Sequence, residues 1–157
     1  MKILFSHSYF LQFDLKQVAH ARPYPPLGTI WAAALLRENG HEVFLFDSMF
    51  AHSPEALIAS LKKYKPDVFV IYDDGFNYLT KMCLSNMREA AFLMQQYAKA
   101  YGCAVITTSS DAADHYEAYL QNGADYVMYG EAEYILLETI RHIEEGTGVK
   151  DSIKGLI

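Results

Sequence analysis

Cysteine and long apolar runs are both scarce in this chain. Only Cys83 and Cys103 occur among 157 residues, twenty positions apart, which leaves neither a disulfide framework nor a zinc-ligand set. Such cysteine usage is typical of a reducing compartment. Charged or polar residues interrupt every apolar run well below membrane-spanning length, and the opening stretch 1–5 is too short for a signal-peptide core. We therefore expect a cytoplasmic protein that is neither secreted nor membrane-embedded.

Basic residues are also few. Thirteen Lys and Arg stand against nineteen Asp and Glu, which gives a formal net charge of −6, and no long basic run occurs. Because nucleic-acid binding depends on Lys and Arg that neutralise phosphates, this balance argues against nucleic acid as the main partner. It is typical of an ordinary acidic protein surface.

Glycine-rich nucleotide motifs are absent. Neither Gly-x-Gly-x-x-Gly after the first predicted strand nor Gly-x-x-x-x-Gly-Lys-Ser/Thr occurs, which excludes the usual cradles for NAD and P-loop nucleotides. The stretch 7–13, where a flavodoxin binds its FMN phosphate, has no glycine to allow close backbone approach. A receiver domain is disfavoured because the acids after the first strand and the lysine after the fifth are missing. The six histidines never have the close spacing of a metal site and occupy positions 7, 20, 41, 52, 115 and 142.

What the chain does contain is a regular alternation of apolar and helical segments. Hydrophobic residues make up 52% and charged residues 20%, the profile of one packed domain of this length. Five apolar runs alternate with five segments of helical period, which predicts parallel strands joined by crossover helices. Right-handed crossovers then favour a doubly wound five-stranded parallel sheet in the flavodoxin-like order 2-1-3-4-5, a three-layer α/β/α fold. The predicted strands are 2–6, 41–46, 67–72, 103–107 and 125–129.

Proline and glycine signals mark several helix boundaries. Pro25-Pro26-Leu27-Gly28 opens the first helix, because proline suits a first helical turn, and Asn39-Gly40 ends it. Ser53 is the predicted N-cap of the second helix. The aromatic-rich stretch 7–24 is predicted as a long connection, and the other helices are predicted at 80–100, 112–121 and 132–145.

The last eleven residues differ from the rest. Residues 147–157 end on an apolar triplet for which the pattern provides no surface to pack on. We therefore expect one domain at 1–146 and, from 147 to 157, the start of a linker to a further domain.

Five loops are expected to meet at the carboxyl ends of the strands, where ligands bind in such folds. The hydroxyl run 107–110 can offer donors and helix N-terminal amides to a ligand, or it can cap the helix that follows. Asp73 and Asp74 can collect a divalent cation through hard oxygens. His7 and Glu131 are compatible with either ligand binding or a capping or surface role.

Four segments, taken in their order and spacing, resemble the cobalamin-binding domain at the N-terminus of many radical S-adenosylmethionine (radical SAM) proteins. The similarity covers about residues 1–146, and residues 153–156 resemble the segment that leads toward the catalytic barrel of that family. The segments are Pro25-Pro26-Leu27-Gly28; Asn39-Gly40-His41-Glu42-Val43 with the strand end at Asp47; Lys65-Pro66-Asp67-Val68; and Gly123-Ala124-Asp125-Tyr126-Val127 with Gly130-Glu131-Ala132-Glu133.

The resemblance implies a domain that holds cobalamin with the corrin facing the strand ends. Beside it would lie a barrel whose Cys-x-x-x-Cys-x-x-Cys motif carries a four-iron cluster and cleaves S-adenosylmethionine. That motif is absent here, so this domain alone is expected to catalyse nothing. Its expected partners are the barrel and the small-molecule substrate, and the expected reaction of the whole is methyl transfer or cyclisation at an unactivated carbon.

Topology and resemblance together indicate which residues contact the cofactor. Asp-x-His-x-x-Gly, which places a histidine on cobalt in the mutases and methionine synthase, does not occur, so a histidine-ligated cobalt is excluded. The expected cofactor contacts are Ser8, Tyr9, Leu27, Gly28, Asp47, Asp73, Gly75, Thr107, Thr108, Ser109, Tyr129, Gly130 and Glu131.

Two departures from the family pattern leave alternatives open. The run 107–110 stands where the family has a Gly-Gly pair, and Asp73-Asp74 replaces small or hydroxyl residues. The first alternative is a domain of the same fold that binds no cobalamin and serves as a scaffold or substrate lid. The second is a free-standing α/β protein that binds a small molecule or a metal, which a Cys-x-x-x-Cys-x-x-Cys string beyond residue 157 would exclude.

Overall fold

The computed structural model describes residues 1–13, 15–20, 23–73, 83–146 and 152–157. Five parallel strands form one sheet in the order β2-β1-β3-β4-β5, which confirms the predicted topology. The strands are β1 (Lys2–Ser6), β2 (Glu42–Phe46), β3 (Val68–Tyr72), β4 (Ala104–Thr108) and β5 (Tyr126–Met128).

Seven α-helices occur within the described ranges. They are α1 (Leu15–His20), α2 (Leu27–Glu38), α3 (Leu57–Tyr64), α4 (Leu84–Ala100), α5 (Ser110–Asp114), α6 (Tyr116–Gln121) and α7 (Ala132–Glu145). None of the helices among these residues is long and apolar enough to cross a bilayer.

Two buried clusters lie on opposite faces of the sheet because successive strand side chains point to opposite sides. Leu4, Phe69 and Val105 point toward α3, α4, α5 and α6. Ile3 and Val70 point toward α2 and α7, which cover the other face. The three layers are therefore α/β/α, and the near-continuous apolar runs of the central strands reflect burial on both faces.

Several predicted boundaries are wrong by one or more residues. Strand β4 continues through Thr108, and β5 ends at Met128. The single helix predicted at 112–121 is two short helices, which meet at His115. The predicted connection at 7–24 contains α1 and a 3-10 turn at Leu11–Phe13. The start of the helix predicted at 80 lies outside the described residues, and α4 begins at Leu84.

Ser53 occupies the N-cap of a 3-10 turn, Pro54–Ala56, that precedes α3, and its side chain makes no capping hydrogen bond. The expectation that the final apolar residues lack a packing surface is also wrong. Leu156 forms an antiparallel bridge with Met128 of β5, and Ile153 is buried among the side chains that α7 covers. The proposed domain division itself stays a prediction.

Candidate functional site

A cleft of about 410 Å³ opens at the carboxyl ends of β3, β4 and β5, between the first turns of α2, α5 and α7. This is the edge at which open α/β sheets bind their ligands. The residues that line the cleft are Gly28, Tyr72, Asp73, Thr108, Ser109, Ser110, Ala113, Met128, Tyr129, Gly130, Glu131, Ala132 and Glu133.

The structure brings about half of the predicted contacts together in this cleft and separates the others from it. Among the described residues, the predicted contacts that do not line it are Ser8, Tyr9, Leu27, Asp47 and Thr107. Gly75, with Asp74, lies outside the described residues. The predicted contacts that line the cleft are Gly28, Asp73, Thr108, Ser109, Tyr129, Gly130 and Glu131.

Thr107 and Thr108 have different roles because they point to opposite faces of β4. The Thr107 side chain is fully buried under α4, where the Gln95 amide nitrogen donates to its hydroxyl over 2.7 Å. The Thr108 hydroxyl donates to the Met128 carbonyl at 3.1 Å and lies at the cleft wall. Ser109 caps α5, since its hydroxyl accepts from the Ala112 amide at 2.8 Å, which confirms the capping alternative for this residue.

The segment after β1 is closed rather than open. Ser8 donates twice to one carboxylate: its amide reaches Asp73 Oδ1 at 2.6 Å and its hydroxyl reaches Asp73 Oδ2 at 2.8 Å. Tyr9 and Phe10 are buried directly behind it. These bonds join the end of β1 to the end of β3.

His7 belongs to the same closed region, contrary to the expected surface or capping role. The residue is only 3% exposed, and Nε2 lies 2.9 Å from Asp47 Oδ1. The Ser48 hydroxyl donates to the His7 carbonyl at 2.6 Å and lies 3.1 Å from His7 Nδ1. A serine, a histidine and an aspartate are thus joined, but Ser48 and His7 are buried, so this triad links the β1 and β2 loops without access for a substrate.

Asp73 stands at the boundary between the closed region and the cleft. Burial raises the pKa of this carboxyl, although the two hydrogen bonds from Ser8 favour the charged form. Asp73 is 9% exposed and contributes to the cleft wall. A carboxyl in this setting holds a proton to higher pH than an ordinary aspartate.

A second buried carboxyl, Asp111, supports the α5 wall and was not predicted from the sequence. Arg88 of α4 donates to it from Nε at 2.8 Å and from a terminal nitrogen at 2.5 Å, and the Tyr119 hydroxyl donates at 2.8 Å. Burial alone would raise the pKa of Asp111, but these hydrogen bonds and the Arg88 charge outweigh it and lower the pKa. The ion pair joins α4 to α5, and the Tyr119 hydrogen bond adds α6, a connection that sequence spacing does not reveal.

The remaining cleft residues come from first helical turns. Gly28 lies in the first turn of α2, and Glu131 is the N-cap of α7, although its side chain makes no capping hydrogen bond. Gly130, with φ +93°, allows the chain to turn from β5 into α7. Beyond the predicted contacts, the sequence signal for Ala132 and Glu133 was their position directly after Gly130-Glu131. Within the described ranges, no group of three or more His, Cys, Asp or Glu is arranged to hold a metal ion.

These features define a class of protein: a doubly wound α/β domain with a polar crevice at the carboxyl ends of its strands. No family model and no curated protein matches the sequence. The structure is similar to the cobalamin-dependent S-adenosylmethionine radical enzyme OxsB with aqua-cobalamin and S-adenosylmethionine bound, at a TM-score of 0.68 and 15% identity. It is also similar to OxsB with aqua-cobalamin bound, at a TM-score of 0.63 and 16% identity.

Both matches cover 99% of this chain and 20% of the OxsB chain. The chain therefore spans about a fifth of the length of the structures that it resembles. At this level of identity the similarity shows a shared fold over nearly the whole chain.

Proposed function

We propose that this chain is a cobalamin-binding module that acts together with the radical SAM domain of a longer protein. The observation that carries the proposal is the shared fold over 99% of the chain with OxsB, a cobalamin-dependent radical enzyme that is five times longer than the matched region. The order of sequence motifs supports the same family independently of the coordinates. The module is proposed to hold the cofactor and to catalyse nothing alone.

The small size of many cleft residues supports such a role. Small side chains form much of its wall, and a Cβ placed on Gly130 would meet nothing within 4 Å. Of the run 107–110, which stands where the family has a glycine pair, Thr107 points away from the cleft toward Gln95. The other three residues of the run, Thr108, Ser109 and Ser110, line the cleft with small hydroxyl side chains.

The polarity of the cleft favours a ligand that presents neutral hydrogen-bond donors. Three carboxyl residues line it, Asp73, Glu131 and Glu133, and no Lys or Arg occurs among its described lining residues. Such a wall repels nucleotide phosphates. The rim of a corrin carries neutral carboxamide groups, whose N–H donors suit carboxylate and hydroxyl acceptors. This contrast supports a corrinoid over a nucleotide.

The size of the cleft indicates that it holds only one portion of the cofactor. A volume of about 410 Å³ suits a drug-sized ligand. Cobalamin with its nucleotide tail is considerably larger, so the rest of it would contact the remainder of the longer protein. When bound, the cofactor would supply cobalt chemistry for methyl transfer or cyclisation at an unactivated carbon, while S-adenosylmethionine and the four-iron cluster would belong to the radical SAM domain.

A scaffold that binds no cobalamin is the second candidate, and the closed β1 loop favours it. Ser8 and Tyr9, two expected cofactor contacts, are buried, and Ser8 is fully engaged with Asp73. In this alternative the domain would pack against the longer protein as a lid.

A titration with hydroxocobalamin distinguishes the two candidates. Visible absorption of the corrin and its co-elution with the protein on gel filtration are the readouts. Ser110→Trp places an indole in the cleft from an exposed position, whereas Ser85→Trp makes the same change at an exposed position on α4 outside it. We expect stoichiometric retention for the wild type and Ser85→Trp, and a loss of at least about tenfold in affinity, roughly 1.4 kcal/mol, for Ser110→Trp.

No retention of hydroxocobalamin by the wild-type chain at high micromolar concentration would favour the scaffold. Equal retention by both tryptophan variants would show that cobalamin binds elsewhere than the cleft.

A further inference from the structure

Residues 152–157, which we call the 152–157 strap, extend the sheet beyond β5. Val127 and Ile157 exchange two backbone hydrogen bonds, each 2.9 Å long, and the Tyr129 amide donates to the Gly155 carbonyl over 2.9 Å. Leu156 lies opposite Met128 in an antiparallel bridge. The strap therefore pairs with β5, whose carboxyl end contributes to the cleft wall.

The pairing depends on a glycine at position 155. Gly155 has φ +91°, a backbone conformation that side chains strongly disfavour. A Cβ at this position would lie 2.8 Å from the Tyr129 carbonyl oxygen and 2.5 Å from Ile135 Cδ1. Both neighbours belong to the wall or to the helix behind it, so a larger residue would push the strap away from Tyr129.

One peptide group of the wall is held from both sides. The Met128 carbonyl accepts from the Thr108 hydroxyl, and the Tyr129 amide of the same peptide unit donates to Gly155. Thr108, Met128 and Tyr129 all line the cleft. On the strap side, Ile153 is buried in the cluster that contains Ile135, which fastens the strap to α7.

We propose that the 152–157 strap is a positioning element of the cleft, which fixes the wall from Met128 to Glu131 through the Gly155–Tyr129 hydrogen bond. A loosened strap leaves the Met128–Tyr129 peptide held from one side only, and the wall then adopts a wider range of positions. The consequence for affinity rests on the proposed cobalamin function, whereas the consequence for wall mobility does not.

Amide hydrogen exchange followed by NMR, combined with hydroxocobalamin titration, tests the proposal on three proteins: wild type, Gly155→Val and Lys154→Ala. Lys154 is exposed, so its replacement keeps the strap backbone and serves as the matched control. In Gly155→Val we expect the Tyr129 amide to exchange at least about tenfold faster, because its hydrogen bond is lost. The amides of Val70 and Ile106, at the centre of the sheet, should keep their wild-type rates, and Lys154→Ala should match the wild type throughout.

The affinity of Gly155→Val for hydroxocobalamin should fall by about tenfold, with Lys154→Ala unchanged. The positioning role of the strap would be overturned if the Tyr129 amide exchanged at its wild-type rate in Gly155→Val. It would also be overturned if all amides of that variant exchanged faster to the same extent. Faster exchange of the Tyr129 amide in Gly155→Val with unchanged affinity for hydroxocobalamin would overturn the link between the strap and cofactor binding. If the wild type binds no cobalamin, only the proposed function fails. The exchange rates still decide whether the strap fixes the cleft wall.

Discussion

The carboxyl edge of the sheet has two halves that differ although the same topology creates both. The first, the sealed half, comprises the last residue of β1 and the loops after β1 and β2, at residues 6–10 and 47–49. Ser6, His7 and Ser8 are at most 3% exposed as whole residues, and their polar groups bond to one another or to neighbouring loops. The second, the open half, comprises the ends of β4 and β5, where the cleft lies. Asp73 at the end of β3 forms the border, because it accepts from Ser8 on one side and lines the cleft on the other.

The difference shows that convergence of loops does not by itself make a binding site. Parallel strands bring polar residues together at one edge, and those residues then either satisfy one another or stay available to a ligand. In the sealed half the polar groups of Ser6, His7 and Ser8 are hydrogen-bonded within the protein. In the open half, small residues such as Gly28, Gly130 and Ala132 form part of the cleft wall. We therefore expect mutations in the sealed half to change stability and mutations in the open half to change binding.

The largest expected effect is a loss of stability in Asp73→Ala. The substitution leaves the buried Ser8 amide and hydroxyl without their acceptor, and lost hydrogen bonds to a charged group cost about 2–3 kcal/mol. Glu131→Ala, at an exposed acid of the open half, should change the free energy of unfolding by no more than about 0.5 kcal/mol. Urea unfolding of both variants measures the contrast. Equal destabilisation by the two substitutions would remove the distinction between the halves.

A second expected effect is that Asp73 and Asp111 give stability opposite dependences on pH. The folded-state pKa of Asp73 is raised, so its contribution is fully present below its unfolded pKa of about 3.9 and is lost as pH rises through the folded pKa. The folded-state pKa of Asp111 is lowered, so its contribution is present above about 3.9 and is lost as pH falls through the folded pKa.

Unfolding free energies measured between about pH 3 and pH 7 test this opposition in Asp73→Asn and Asp111→Asn. Relative to the wild type, Asp73→Asn should gain stability as pH rises, because asparagine imitates the protonated acid. Asp111→Asn should lose most stability at the upper end of the range and approach the wild type as the medium becomes acidic. Parallel pH profiles for the two variants would contradict the assigned directions.

The strand order could be predicted from the sequence. The division of the carboxyl edge of the sheet into a sealed and an open half could not. Alternating apolar and helical segments predicted the strand order, since right-handed crossovers leave few arrangements. The burial of Ser8 was not predictable from local pattern, because its partner Asp73 is 65 positions away. A polar loop with aromatic neighbours is compatible with a binding surface and with a sealed one, and only the tertiary contact decides between them.

The predicted end of β4 was wrong by one residue, and this error affected the predicted site. Ending β4 at Thr107 placed that residue at the ligand edge of the sheet, whereas the strand continues through Thr108. Alternation along the strand then turns Thr107 under α4 and leaves Thr108 at the cleft. The polar Gln95 on the buried face of α4 was the available sequence signal for a buried partner on β4.

The smallest expected effects separate these two neighbouring threonines. Thr107→Val removes the hydrogen bond of the buried Gln95 amide and should cost about 1–2 kcal/mol of stability while leaving hydroxocobalamin affinity unchanged. Thr108→Val removes a hydroxyl from the cleft wall and frees the Met128 carbonyl, which should weaken hydroxocobalamin binding by about three- to fivefold with a smaller loss of stability. Both substitutions keep the shape and β-branching of the side chain, so strand packing is matched between them. If Thr107→Val weakened hydroxocobalamin binding and Thr108→Val did not, the binding surface would lie on the α4 face of the sheet. The Thr107 hydroxyl is on that face.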